Sequence, residues 1–267
     1  MIFTRVRVGD DMRKYFEIFK YGLKMNFVYI VDYMISLLSF IIHVSVFNAL
    51  WDFILKDGST VGYSRNELIW YIVMAEFITY SISRSFYKIS DKVKDGTIAN
   101  MLLKPINFCT YFLAEESSNI LKIFINFIGL VVLGISYGGR LEMNFTLTVF
   151  VIVSTILAIA IGLLIQLIIG LLSFTMEEVR ALWFIIQKLQ FLLVFVPLEF
   201  YDPIIQKILF FLPTTHTVYA PARILVKYNF NESLTLILIQ IIVMMITAMF
   251  AKFLYKKGVE KINANGG

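Results

Sequence analysis

Long apolar runs alternate with short polar breaks along most of this chain. Six runs reach or approach the roughly 20 residues that a helix needs to cross a bilayer. The predicted spans are residues 27–51, 67–83, 109–137, 145–174, 180–198 and 233–255. The third span has a polar start, so its lipid-facing part is expected to begin near Ile120. Because every break is short, residues 1–267 are predicted to form a single transmembrane domain.

Residues 12–24 precede the first span and have a different pattern. One stripe is apolar: Met12, Phe16, Phe19 and Leu23. The other is charged: Arg13, Glu17, Lys20 and Lys24. A basic amphipathic helix with aromatic residues is typical of the membrane interface, and we expect this one to lie in its plane. A solvated helix that leans on other parts of the protein is the alternative.

The break between the second and third spans, residues 84–106, predicts two short helices. Apolar residues of the first have helical spacing: Phe86, Ile89 and Val93. Gly96 is a natural helix end, and Thr97 is a predicted N-cap of the second helix. That second helix, over residues 98–103, would end before Pro105. Two short helices between spans would make a projecting elbow, suited to receive force from a soluble partner.

Four of the five prolines follow the fifth span: Pro197, Pro203, Pro213 and Pro221. Residues 204–212 between them are apolar but too short to span. We therefore expect residues 199–222 to form a re-entrant segment near the outer face. Because non-helical backbone at membrane depth needs cover, this segment should pack against a partner subunit or line a cavity.

Composition agrees with an all-α integral membrane protein. The chain is 59% hydrophobic with a mean hydropathy of +0.78, and the alternating pattern of an outer-membrane barrel is absent. The net charge of +5 follows from loop lysines and arginines and does not indicate nucleic-acid binding. The single cysteine, Cys109, excludes an internal disulfide framework. About 25 polar and amphipathic residues precede the first apolar run, which is not typical of a cleavable signal peptide.

The loop charges predict the orientation, because cytoplasmic loops are enriched in Lys and Arg. The two termini and the breaks after spans 2 and 4 carry 16 of these residues, and the other side carries six. Both termini and the elbow are therefore expected to be cytoplasmic.

Candidate chemistry is sparse. No catalytic constellation stands out, and His43, His216 and Cys109 do not have the spacing of a metal-ligand set. We interpret both histidines as structural, and Gly162 and Gly170 as helix-packing positions. No glycine-rich phosphate-binding motif is present, so an ATP-driven protein would need its ATPase on a separate chain.

Charged residues inside the spans are more informative, because each costs roughly 2.5 kcal/mol or more at the bilayer centre. Glu76 lies near mid-membrane in span 2, and Lys122 lies in the neighbouring span 3. They are predicted to pair, or Glu76 faces a polar translocation path. Glu177, Glu178 and Arg180 after span 4 form either a partner contact or a solvated turn.

Two segments carry a family resemblance. The loop after span 2 reads DGTIANMLLKPI, and the segment after span 5 reads VPLEFYDPIIQKILFFLPTTHTVYAPARIL. With the amphipathic helix and six spans, they resemble the membrane (permease) subunits of type-2 ATP-binding-cassette exporters. The branch is the one with a G-x-I-x-x-x-LL-x-P coupling loop. The resemblance covers about residues 12 to 257.

The resemblance implies a permease dimer, of identical or homologous subunits, with two copies of a cytosolic ATPase that carries the ATP and Mg²⁺. The permease pair would meet through spans 1 and 5. The loop after span 2 would be the coupling helix. The residues at or beside the ATPase contact would be Asp95, Gly96, Thr97, Ile98, Leu102, Leu103 and Pro105.

The function expected is therefore the translocation subunit of an ATP-driven exporter in the cell membrane. The 25 phenylalanines fit an amphiphilic or lipidic cargo, and lipid-facing packing explains them equally well. An ATP-independent secondary carrier or channel is the alternative, although such carriers often have helices broken at mid-membrane, and here the prolines cluster on one side. A membrane-embedded enzyme would need clustered acids and histidines, and none are evident.

Overall fold

Apolar segments satisfy their backbone hydrogen bonds internally only as helices or closed barrels, and this chain folds entirely as helices in the residues described. The computed structural model describes residues 8–55, 62–104, 106–176, 178–194 and 196–265. The helices are α1 (Val8–Met25), α2 (Ile30–Ile54), α3 (Arg65–Ser81), α4 (Phe86–Lys94), α5 (Ile98–Leu102), α6 (Phe108–Glu116), α7 (Ile120–Gly138), α8 (Phe145–Leu172), α9 (Val179–Val194), a 3-10 turn (Leu198–Phe200), α10 (Pro203–Phe210), α11 (Pro213–Val226) and α12 (Phe230–Asn265).

Four helices are long and apolar enough to cross a membrane: α2, α7, α8 and residues 230–261 of α12. The chain is therefore a multi-pass membrane protein. The other two predicted spans correspond to α3, with 17 residues, and α9, with 16. At 1.5 Å per residue each is roughly 25 Å long, which is slightly less than a hydrocarbon core of about 30 Å.

The third predicted span, 109–137, is interrupted in the structure. Its polar start forms a separate short helix, α6, and a turn at residues 117–119 precedes α7. The lipid-facing helix begins at Ile120, where the sequence predicted it. The break has a physical reason, because Glu116 and Asn119 are bound to each other and to neighbouring polar groups at this level.

Helix α3 lies at the centre of the molecule. It packs against α2, α7 and α11, and every residue from Leu68 to Ile78 is buried. Two glycines of α7, Gly134 and Gly138, face the ring of Trp70, which leaves no room for a Cβ at either position. The indole Nε1 donates to the Gly139 carbonyl oxygen at 3.1 Å. This close approach fixes the register between the two helices.

One side of the molecule gathers α1, the α4–α5 segment, α6 and the last turns of α12. We call it the elbow side. Phe108 of α6 stacks on Tyr255 of α12, and Phe174 leaves no room for a Cβ at Gly258. These contacts bring the predicted elbow and the end of the longest helix together.

The opposite, far side is joined by polar contacts. Arg65, at the start of α3, forms an ion pair with Asp52 of α2 and donates to the Tyr137 carbonyl oxygen of α7 at 3.0 Å. Glu67 completes a capping box with Ser64 and forms a 2.7 Å ion pair with Lys227. These contacts join α2, α3, α7 and the end of α11 at this end of the bundle.

Helix α1 packs against α6 rather than standing free. Asn26, just after α1, donates its Nδ2 to the Ser118 carbonyl oxygen at 2.6 Å. The Tyr15 hydroxyl accepts from the Asn107 backbone N–H at 2.9 Å. Met12 and Phe16 of the predicted apolar stripe remain exposed. One face of α1 therefore packs against protein, and another face exposes apolar side chains. The first feature was expected of a helix packed on other parts of the protein, and the second of a helix at the membrane interface.

The replacement Gly134→Val tests the central packing. A side chain at this position would overlap the Trp70 ring, and overpacking of this kind costs roughly 1–3 kcal/mol. We expect a lower thermal unfolding midpoint in mild detergent, measured by tryptophan fluorescence. Ile135→Val, at the exposed next position of α7, is the matched control. Equal midpoints for the two variants would contradict this account of the α3–α7 contact.

Candidate docking site on the elbow

The first helix of the elbow, α4, has an apolar face that is buried on the ends of α8 and α9. Ile89 fills the space over Gly170 of α8, where a Cβ would overlap it. Phe86 is fully buried beside Val179, with its ring 5.4 Å from that of Trp183. Burying an aliphatic or aromatic side chain of this size contributes roughly 1.5–3 kcal/mol. Phe86 and Ile89 therefore anchor the elbow in the helix bundle, and we call the buried part of the elbow its root.

The chain reverses at Gly96, whose φ of +75° favours glycine. The carboxylate of Asp95 accepts from the Thr97 backbone N–H at 2.9 Å and from its hydroxyl at 2.6 Å. Thr97 occupies the N-cap position of α5 as predicted, but its own side chain makes no capping bond. Asp95 holds the turn instead. Asp95, Gly96 and Thr97 are all exposed.

The second helix, α5, has one anchoring and one exposed side. Ile98 is only 3% exposed and packs with Phe108, Phe112 and Phe174, with Leu102 half-buried against the same cluster. Leu103, in contrast, is 85% exposed. Ile98 therefore lies beside a contact surface and supports it from below. Of the predicted contact residues, the exposed ones are Asp95, Gly96, Thr97 and Leu103. Pro105 lies outside the described residues.

Ion pairs surround this apolar root. Lys88 on α4 contacts Glu115 at 3.1 Å and Glu116 at 2.7 Å, both on α6. The Glu116 side chain is fully buried. This bridge between elbow and α6 was not predicted, although a signal for it exists: two adjacent acids begin a segment that follows a basic amphipathic helix.

The loop after α8 is bound to the elbow as well. Glu178 pairs with Lys94 at 2.9 Å, and Arg180 pairs with Asp91 at 2.7 Å while it stacks over the Tyr87 ring. The sequence left open whether this loop is a partner contact or a solvated turn. Its charges bind α4, so it braces the elbow. Glu177 lies outside the described residues.

The electrostatics of these contacts favour the charged forms. Burial lowers the pKa of Lys88, but the carboxylates of Glu116 and Glu115 outweigh it and raise that pKa above its usual value. The hydrogen bond from Lys94 lowers the pKa of Glu178, and the hydrogen bonds from Thr97 lower the pKa of Asp95. The bridges are therefore intact at neutral pH.

Glu76 and Lys122 do not pair in this structure. The Lys122 ammonium lies 3.5 Å from the Ile82 carbonyl oxygen and from the Ser83 hydroxyl, while Glu76 Oε1 has no hydrogen-bond partner. The register set by Trp70 explains why. In the antiparallel α3–α7 pair, Lys122 lies level with the end of α3, so Glu76 lies more than a turn deeper. Glu76 is 2% exposed, and its predicted alternative role in a polar path stays a prediction.

The far side carries a polar network in the proline-rich segment. Glu199 accepts from the Tyr219 hydroxyl at 3.0 Å and from Arg223 Nε at 2.9 Å. Deeper in the bundle, Gln240 of α12 donates to the His216 carbonyl oxygen at 2.9 Å and accepts from the Ser154 hydroxyl at 2.7 Å. The segment thus runs inward as α10 and back outward as α11. His216 is buried, and its Nε2 donates to the Phe210 carbonyl oxygen at the end of α10 at 2.7 Å, which is a structural contact.

No metal centre is built among the described side chains, because no three of His, Cys, Asp and Glu are grouped there. Cys109 is half-buried in the elbow-side cluster with its thiol reduced, and burial raises its pKa to about 11. Its character is therefore that of a packing residue.

Comparison with known proteins adds the class of protein. The family model described as ABC-2 family transporter protein matches residues 40–266, which is most of the chain and includes the elbow and the proline-rich segment. No curated protein matches the chain. Apolar helices and this match together define a multi-pass membrane protein of the permease type. The chain belongs to the ABC-2 family of transporter proteins.

Proposed function

We propose that this chain is the translocation subunit of an ATP-driven exporter, with the ATPase on a separate chain that docks on the elbow. The observation that supports this most directly is the structure of the elbow. Its tip, residues 95–97 and Leu103, is exposed, and its root is buried in the bundle. Leu103 adds an exposed apolar side chain to this polar tip. The resemblance to the branch with a G-x-I-x-x-x-LL-x-P coupling loop implies a coupling contact in the same segment.

The root explains how force would reach the membrane. Phe86 and Ile89 lie on the ends of α8 and α9, and Ile98 lies against the last turns of α12. Exposed ion pairs such as Lys94–Glu178 are screened by solvent and contribute little. The apolar contacts therefore dominate, and the elbow would move together with the helices beneath it when the ATPases close.

The proposed topology has six crossings with both termini cytoplasmic. Helices α3 and α9 complete the count, because a slightly short helix is accommodated by local thinning of the bilayer. The distribution of 16 Lys and Arg on the elbow side against six on the far side supports a cytoplasmic elbow. In this frame the α10–α11 hairpin is a re-entrant element of the outer leaflet.

A second permease subunit, identical or homologous, would pair through α2 and α9. Phe191 of α9 contacts His43 and Phe47 of α2, so the two helices form one continuous face. Both helices also have exposed large apolar side chains, such as Ile35, Leu38 and Phe184. Two ATPase copies would then supply ATP and Mg²⁺ to the complex. An amphiphilic cargo fits a path between such faces.

Leu103→Asp tests the docking site. Loss of a central apolar contact at an interface should weaken binding of the ATPase roughly tenfold, which is about 1.4 kcal/mol. We expect the ATPase that co-purifies from native membranes in mild detergent to fall accordingly, with its ATP hydrolysis. Phe145→Asp is the matched control, since Phe145 is equally exposed, at 85%, on the far side. Ile98→Asp is unsuitable, because it would disrupt the buried root.

Three results are informative beyond the expected one. Equal loss from both variants would mean general destabilisation and would contradict a docking role for Leu103. A chain that purifies without an ATPase in several detergents would favour an ATP-independent carrier or channel. A second permease that co-purifies would identify a heterodimer.

Glu76→Gln tests the polar-path role. The exchange keeps the shape and removes the charge, so thermal stability should be unchanged or higher, because burying a neutral side chain costs less. ATPase binding should be unchanged. We expect at least a tenfold loss of ATP-dependent accumulation of fluorescent amphiphiles in inside-out vesicles. Glu142→Gln, in an exposed far-side loop, is the control. Unaltered transport by the Glu76 variant would show that this carboxyl is only a buried structural group.

A further inference from the structure

A groove of about 380 Å³ opens between α7 and α8, away from the elbow tip. Its walls are apolar: Ile120, Ile123, Ile156, Ile159, Ala160 and Leu163. Its other end is polar: Ser81, Ser83, Glu116, Ser117 and Asn119. The polar end lies at the level of α6 and of the Lys88–Glu116 bridge, and the apolar walls run from there toward mid-membrane. A phospholipid has the same arrangement, with a polar headgroup at the membrane surface and apolar acyl chains toward mid-membrane.

Two cations adjoin the residues of the polar end: Lys122, whose ammonium contacts the Ser83 hydroxyl, and Arg84, which follows Ser83 in the chain. Lys122 is half-buried, and the hydrogen-bond contacts that it makes with described residues, to Ile82 O and Ser83 Oγ, are both long at 3.5 Å. Arg84 is exposed, and Lys122 lies within electrostatic range of both the Glu116 carboxylate, which attracts it, and Arg84, which repels it. Neither forms an ion pair with a described residue.

The neighbouring acids are already occupied. Glu116 accepts from Lys88 with one oxygen and from the Asn119 amide with the other. Glu115 also accepts from Lys88. The local set of Arg84, Lys88 and Lys122 against Glu115 and Glu116 thus has one positive charge in excess. A half-buried ammonium ion next to lipid requires a counter-charge, and basic sites between helices on the cytoplasmic side are suited to anionic headgroups.

We propose that an anionic phospholipid binds in this groove, with its phosphate at Lys122 and Arg84 and one acyl chain along α7 and α8. The lipid comes from the elbow-side leaflet. It is a resident ligand of the permease rather than its cargo, and its binding does not depend on the proposed exporter function. Because Ser83 and Arg84 join α3 to α4, the bound lipid would connect the root of the elbow to α7 and α8.

The test uses the full chain purified alone in mild detergent. Bound lipid is measured by native mass spectrometry during titration with phosphatidylglycerol or with phosphatidylcholine of the same acyl chains. Inorganic phosphate is titrated separately and followed by thermal unfolding. We expect one phosphatidylglycerol to bind at least fivefold more tightly than phosphatidylcholine. Phosphate alone should give no thermal shift at the same concentrations.

Lys122→Gln and Arg84→Gln should each weaken phosphatidylglycerol binding roughly fivefold, since a basic residue near the membrane surface contributes about 1 kcal/mol to anionic-lipid binding. Ala160→Phe should weaken both lipids without a change in charge. Lys188→Gln, on the exposed face of α9, is the matched control and should bind like the parent chain. Equal affinity for the two lipids, or phosphatidylglycerol binding that survives both Lys122→Gln and Ala160→Phe, would overturn the proposal. Tight binding of free phosphate that Ala160→Phe leaves intact would replace the lipid site by an ion site.

Discussion

Close contact between one continuous segment and a row of glycines is the constraint on which the rest of the structure depends. The segment runs through α3 and α4, from the far side to the elbow. Each glycine leaves room for one of its side chains: Trp70 at Gly134 and Gly138, Ile82 at Gly162, and Ile89 at Gly170. Because interiors pack densely, these contacts fix the rotation and register of α3 against both α7 and α8.

This arrangement makes the elbow an extension of the central helix. The same contacts that position α3 also position α4, and the ion pairs to α6 and to the loop after α8 brace it from two sides. A force applied at Leu103 would therefore be carried into packed helices and not absorbed by a flexible loop. Glu76 is buried on this central helix.

Much of this could be predicted from local sequence. Helical periodicity located α4, the positive φ at Gly96 was signalled by glycine itself, and Gly162 and Gly170 were correctly interpreted as packing positions. The elbow residues could be identified only as a group, because the rotation of α5 decides which face is buried. Ile98 is buried and Leu103 exposed through contacts with α6 and α12, which are distant in sequence.

The predicted Glu76–Lys122 pair was wrong for a related reason. Two charges in neighbouring spans meet only if the helices share the right register, and here Trp70 and the α7 glycines set a different one. The polar start of the third span correctly predicted that its lipid-facing helix begins near Ile120, but not that the preceding residues form a separate helix, α6, which depends on polar contacts with α4.

The most direct test of the docking account is a photoreactive side chain introduced at the exposed Thr97 position in the assembled complex. Phe211, which is 84% exposed on the far side, is the control position. The account predicts a cross-link from position 97 to the ATPase chain and none from position 211. A complex that hydrolyses ATP but gives no cross-link to the ATPase from position 97 would contradict the assignment of the elbow as the docking site.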